Sequence, residues 1–155
     1  PVPQDPVPQD RRVRCVDLRD DEIWHRMGDV GRFAAQGRLW FCGRKAHRVI
    51  TGHGTQFTVS CEALFNPHPR VFRSALVGVG APPRQKPVIC IELQAGDQGP
   101  DRERLTRELL DLARENPLTA AIETVLFHPS FPVDIRHNSK IFREQLAVWA
   151  AERLR

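Results

Sequence analysis

Two apolar runs rich in β-branched residues, VFRSALVGV (71–79) and PVICIEL (87–93), flank the Pro-rich segment GAPPRQK, and no other feature restricts the fold as much. Bounded by Gly and Pro, they read as two strands of one sheet. Neither approaches the roughly 18 apolar residues of a membrane span, so no span is expected.

The elements around this pair follow from periodicity. Leu105, Leu109 and Leu112 recur at i, i+4 and i+7, which predicts an amphipathic helix over 101–115, stopped by Asn116-Pro117. A strand over 123–127 comes next. A terminal helix is expected over 139–154, capped by Asn138 or Ser139, with Phe142, Leu146 and Trp149 on its apolar face. Towards the N-terminus, 23–26 and 38–42 read as a hairpin joined through Gly28, Gly31 and Gly37. Segments 47–50 and 56–59 form a second hairpin around Gly52 and Gly54. A short helix carrying Cys61, Ala63, Leu64 and Phe65 then ends at Asn66. The order is hairpins, helix, two strands, helix, strand, loop, helix, which is α+β.

At 155 residues, 41% hydrophobic and 27% charged, the chain has the make-up of one globular domain, or of a small domain with an extra lobe. The unit PVPQD occurs twice at the start and reads as an extended linker, with none of the basic-then-apolar character of a secretory signal. Cys15, Cys42, Cys61 and Cys90 are widely spaced without a CxxC pair, so reduced thiols in a cytoplasmic protein are expected. The histidines His25, His47, His53, His68, His128 and His137 lack paired metal spacing and read as structural or exposed, with no metal site expected. A net charge of +4 invites a polyanionic partner, but Arg102, Arg104 and Arg107 alternate with Asp101, Glu103 and Glu108 as on a solvated helix face. No nucleic-acid partner is expected.

Lysine is rare here: of 23 basic residues only Lys45, Lys86 and Lys140 are not arginine. Lys140 falls in the expected first turn of the terminal helix, where free N–H groups and the helix dipole favour anions. Position alone leaves a surface lysine and an anion-facing one both open.

Three motifs in order carry a resemblance over residues 23–154. Arg26-Met27-Gly28-Asp29 and Gly43-Arg44 resemble the junction between the large and small domains of adenylate-forming enzymes, the superfamily of acyl-CoA synthetases and luciferases. PHPRVFRSALVGVG with KPVICIEL is similar to the family's strand pair, and Lys140 to the lysine of its terminal loop. FCGRKAHRV, CEALFNPHPRVFRSALVGVG and FPVDIRHNSKIFREQLAVWA look like the bacterial long-chain olefin biosynthesis β-lactone synthetases in particular.

The resemblance implies a small C-terminal domain with hairpins, a mixed three-stranded sheet and flanking helices. Residues 1–22 would be linker, 23–43 the last strands of the large adenylation domain, and 44–155 the small lid. It implies adenylation of a 2-alkyl-3-hydroxyalkanoic acid with ATP and Mg2+, then ring closure by the substrate's own 3-hydroxyl with loss of AMP. Asp29 would accept hydrogen bonds from the ribose hydroxyls, Arg44 would lie near ribose and phosphate, and Lys140 would offset charge shared by the attacking carboxylate and the α-phosphate. His137 could touch substrate.

Two departures stand out. Ser139 precedes the lysine where Gly is usual, and Ala46 occupies a hinge position that is commonly Asp or Lys. An intramolecular closure admits no thiol, so one pose about the hinge would suffice. The family's phosphate loop, acyl pocket and magnesium-binding glutamate lie in the large domain, so this chain alone is expected to be inactive. Its partners would be that domain, the β-hydroxy acid and other enzymes of the olefin pathway. The lid of an ordinary acyl-CoA ligase and a non-catalytic docking module are the alternatives.

Overall fold

The computed structural model describes residues 28–97 and 101–155. A hairpin of β1 (Asp29–Phe33) and β2 (Leu39–Arg44) leads through a 3-10 turn, Lys45–His47, into a second hairpin of β3 (Val49–Thr51) and β4 (Gly54–Gln56). Helix α1 (Thr58–Phe65), β5 (Val71–Val79), β6 (Lys86–Leu93), α2 (Arg102–Arg114) and β7 (Val125–Phe127) follow. The chain ends with a hairpin of β8 (Val133–Asp134) and β9 (His137–Ile141), then α3 (Arg143–Arg153).

The two apolar runs are neighbours in a three-stranded sheet of order β5-β6-β7. The β5–β6 pair is antiparallel, with Leu76 opposite Ile89, and β7 is parallel to β6, with Val125 opposite Ile89. The runs are almost continuously apolar because both faces of the sheet are covered. Side chains alternate across a strand. Leu76, Ile89, Ile91 and Val125 therefore pack with Phe65 of α1 and with Leu105, Leu109 and Ala113 of α2. Ala75, Val77, Val88 and Cys90 point the other way and pack with Phe131 and with Leu146 and Ala150 of α3. The leucines that predicted α2 divide accordingly: Leu105 and Leu109 are fully buried, whereas Leu112 is partly buried at the margin of the same cluster.

Asn66, directly after α1, accepts from both the backbone N–H (2.9 Å) and the hydroxyl (2.8 Å) of Ser74, which fastens the helix to β5. The β1–β2 hairpin lies on α1 as well. Gly43 has φ +116°, and a Cβ there would come within 2.5 Å of the Thr58 hydroxyl oxygen, so both its backbone and this close approach require glycine.

Several expectations shift. The partner of β2 is Asp29–Phe33, within the stretch read as a turn, while the expected strand 23–26 and the linker 1–22 lie outside the described residues. The second hairpin is shorter than expected, because Thr58 and Val59 begin α1. The largest correction concerns the terminal helix: it starts at Arg143, so Lys140 lies on β9 and not in a helical turn, and neither Asn138 nor Ser139 caps it. The Asp134 carboxylate accepts from the Arg136 backbone N–H at 3.0 Å, an Asx turn that reverses the chain. Phe142 N–H donates to Pro132 O at 2.8 Å, closing the hairpin, and Val133 and Ile141 pack against the α3-side core. Burial of these two residues favours strand pairing over another turn of helix.

Candidate functional site

The β1–β2 register sets Asp29 directly opposite Arg44. Their side chains meet, with Arg44 Nε 3.0 Å from Asp29 Oδ1, while remaining 48% and 41% exposed. Two residues anticipated as a nucleotide-binding pair are thus joined across a strand pair 15 positions apart in sequence. The 3-10 turn follows at once, held by a hydrogen bond from Lys45 N–H to Gly28 O at 2.8 Å. Ala46, the anticipated hinge, is exposed at its centre and lines an open groove of about 560 Å³ together with Gly28, Arg44 and Arg48.

His47, expected to be structural or exposed, packs half-buried beside the first turn of α3. Its Nε2 lies 3.6 Å from Glu144 Oε1 in the first turn of α3. Burial holds its imidazole below the ordinary value. Arg143, Arg44 and Lys140 push it the same way, and Glu144 opposes them. The charges of Arg44 and Lys140, 96 residues apart, therefore act on one ring.

Lys140 is exposed and makes no hydrogen bond or ion pair among the described residues. It lies where the β8–β9 register is irregular: Val133 pairs with Ile141 and Asp134 with His137, so residues 138–140 bulge between two adjacent partners. Such bulges re-aim side chains. Asp134 opposite this bulge is held below the usual carboxylate range by the Arg136 backbone N–H first, then by the Arg136 side chain, with Lys140 contributing. His137 faces Asp134 in the ladder, and its side chain lies outside the described residues.

The reading from sequence missed Glu62 and Arg143. Arg143 clasps Glu62 with both terminal nitrogens, Nη1 to Oε1 at 2.5 Å and Nη2 to Oε2 at 2.9 Å. Glu62 Oε1 also accepts from Leu76 N–H at 2.8 Å, and Arg143 Nη1 donates to Leu76 O at 3.2 Å. Burial pushes the Glu62 carboxyl up, and Arg143 and the Leu76 N–H oppose that. Three donors on two oxygens are a carboxylate's complement. A signal was available: around α1, positions 58, 59, 65 and 66 are Thr, Val, Phe and Asn, so Glu62 has no cation three or four residues away and must find one elsewhere.

Cys61 and Cys90 are buried and poorly suited to act as nucleophiles. Burial pushes the Cys61 and Cys90 thiols up to about 12, far from the thiolate that would react. Among the described residues no group of three His, Cys, Asp or Glu could hold a metal ion, and no helix is long and apolar enough to cross a membrane.

No protein-family model matches the sequence. Over 141 residues the chain is 52% identical to an olefin β-lactone synthetase of Xanthomonas campestris, covering 91% of this chain and 25% of that protein. It spans about a quarter of the length of the curated relatives it matches. The fold matches an anthranilate CoA ligase solved with anthranoyl-AMP at TM-score 0.69 and 26% identity, over 83% of this chain and 24% of that one. It also matches an o-succinylbenzoate coenzyme A synthetase from Bacillus subtilis, solved with ATP and magnesium, at TM-score 0.61 and 21% identity, over 79% and 24%.

Proposed function

We propose, from the premise that this chain is homologous to the olefin β-lactone synthetases and has the fold of the C-terminal part of adenylate-forming ligases, that it is the lid-bearing part of an ATP-dependent β-lactone synthetase. In this reading residues 1–22 are linker, 23–43 complete the sheet of the large adenylation domain, and 44–155 form the small domain. The protein acts in the cytoplasm, in olefin biosynthesis. The β1–β2 hairpin supports this division: a two-stranded sheet is marginal by itself, and Phe33, Leu39, Trp40 and Phe41 are 50–71% exposed on it. Such a surface suits burial against preceding chain.

The substrate carboxylate attacks the α-phosphorus of ATP, releasing pyrophosphate and leaving an acyl adenylate. The substrate's 3-hydroxyl then attacks the activated carbonyl, its proton is lost, AMP departs and a β-lactone remains. Asp29 accepts from the ribose hydroxyls; a carboxylate has about four lone-pair sites, so its bond to Arg44 leaves capacity. Arg44 offers its planar fork to ribose and phosphate oxygens. Lys140 brings a compact ammonium to the charge that develops between carboxylate and phosphate, where a preorganised cation stabilises the transition state. Magnesium would be held mainly by the large domain.

The observation that supports this reading most is the pairing of Asp29 with Arg44 across β1 and β2, directly before the turn that carries Ala46. Full-length protein, given ATP, magnesium and a 2-alkyl-3-hydroxy acid, should yield β-lactone and AMP by mass, and Lys140→Ala should lose at least about 10²-fold in rate. Thioester formation with added coenzyme A, and no lactone, would instead identify an acyl-CoA ligase.

A further inference from the structure

Lys140 has no side-chain partner among the described residues, so its place is set by the backbone that carries it. Two residues on, Phe142 N–H is bonded to Pro132 O. Three residues on, Arg143 opens α3 without any side-chain cap before it. What holds the start of α3 is the Arg143 guanidinium, gripped by Glu62 of α1 and by the Leu76 carbonyl of β5. The fork is nearly closed to solvent, its side chains 14% and 10% exposed. The next residue, Glu144, reaches the other way to His47 at the hinge turn. The first turn of α3 thus ties the core, the hinge and the lysine hairpin together.

We infer that Arg143 and Glu62 are positioning residues for Lys140, the buried fork fixing where the β8–β9 bulge delivers its ammonium. This rests on the proposed adenylation role of Lys140 and adds a specific dependence on a pair that touches no substrate. Arginine is required because a planar fork meets both carboxylate oxygens and a carbonyl at once, whereas a lysine ammonium at that position would meet one or two and leave the helix start free to shift. A displacement of about 1 Å at a catalytic group costs about 10²-fold in rate.

The test uses full-length protein with Arg143→Lys and, separately, Glu62→Gln, each alone and combined with Lys140→Ala. ATP–pyrophosphate exchange with a 2-alkyl-3-hydroxy acid reports adenylation; conversion of a presynthesised acyl adenylate to lactone reports the second step. The expected result is a loss of about 10²-fold in the kcat of exchange, with KM for ATP little changed and the second step intact. In the Lys140→Ala background the same substitutions should cost nothing further. Equal losses in both steps, or losses that multiply with that of Lys140→Ala, would make the fork merely structural and overturn the inference. If Lys140→Ala leaves exchange unchanged, the adenylation role itself fails and the inference falls with it. Glu62→Gln keeps an acceptor in place, so it serves should Arg143→Lys not fold.

Discussion

Arg143–Glu62 and Arg44–Asp29 join the same side-chain types under opposite conditions. The first lies between α1, β5 and α3, nearly closed to water, with Arg143 reaching partners 81 and 67 residues away. The second bridges two neighbouring strands and is almost half exposed. A surface pair contributes about 0–1 kcal/mol and weakens with salt, because water competes for both charges. A buried pair is costly to assemble and costlier to break. One pair is therefore suited to hold geometry, and the other to exchange its partner for a ligand.

The largest expected effect comes from breaking the buried pair on one side. Glu62→Ala leaves the Arg143 charge and the Leu76 N–H without their carboxylate, and should lower unfolding free energy by about 3–5 kcal/mol in urea denaturation. Replacing both partners with apolar residues of similar volume, Glu62→Met with Arg143→Leu, should restore most of that stability. If the double replacement is as unstable as the single one, the comparison is wrong and the fork itself supplies net stability.

A smaller effect separates the two regions by pH. His47, at the end of the 3-10 turn, and His128, which packs edge-on to Trp149, are both lowered by burial first. A histidine with a folded pKa below its unfolded value binds its proton more readily when unfolded. The stability it contributes is therefore complete above about 6.5 and declines as pH falls from there through the folded pKa. Urea midpoints measured between pH 7.5 and pH 5 should fall with acid, and His47→Gln should reduce that slope. An unchanged slope would mean that the ring titrates as in the unfolded chain.

The smallest structural effect belongs to the exposed pair. Asp29→Asn should change stability by no more than about 0.5 kcal/mol. In the full-length protein it should raise KM for ATP, since an amide offers one acceptor oxygen where the carboxylate offered two. Loss of stability comparable to Glu62→Ala, with KM for ATP unchanged, would reverse the roles of the two pairs.

How much of this was legible depended on range. The residues of β5, β6 and α2 declared themselves, because their apolar patterns arise from burial of each element against the same sheet. Asp29 and Arg44 were picked out by motif, and only their partnership had to await the register. The hairpin holding Lys140 was hidden. Two strand residues, Val133 and Asp134, are too few to show a period, and Ile141-Phe142 continues smoothly into a helical pattern. The Glu62–Arg143 fork was missed for another reason: its two halves stand 81 residues apart.

By itself the sequence determined the sheet-forming runs, the amphipathic α2 and the residue types available for nucleotide chemistry, because hydrophobic period and side-chain acidity are local properties. The tertiary structure alone decided that Lys140 leaves from a bulged strand, that α3 begins at Arg143 and that Glu62 anchors it. Those outcomes turn on which distant groups share a buried space, and desolvation of a charge has meaning only once that space exists.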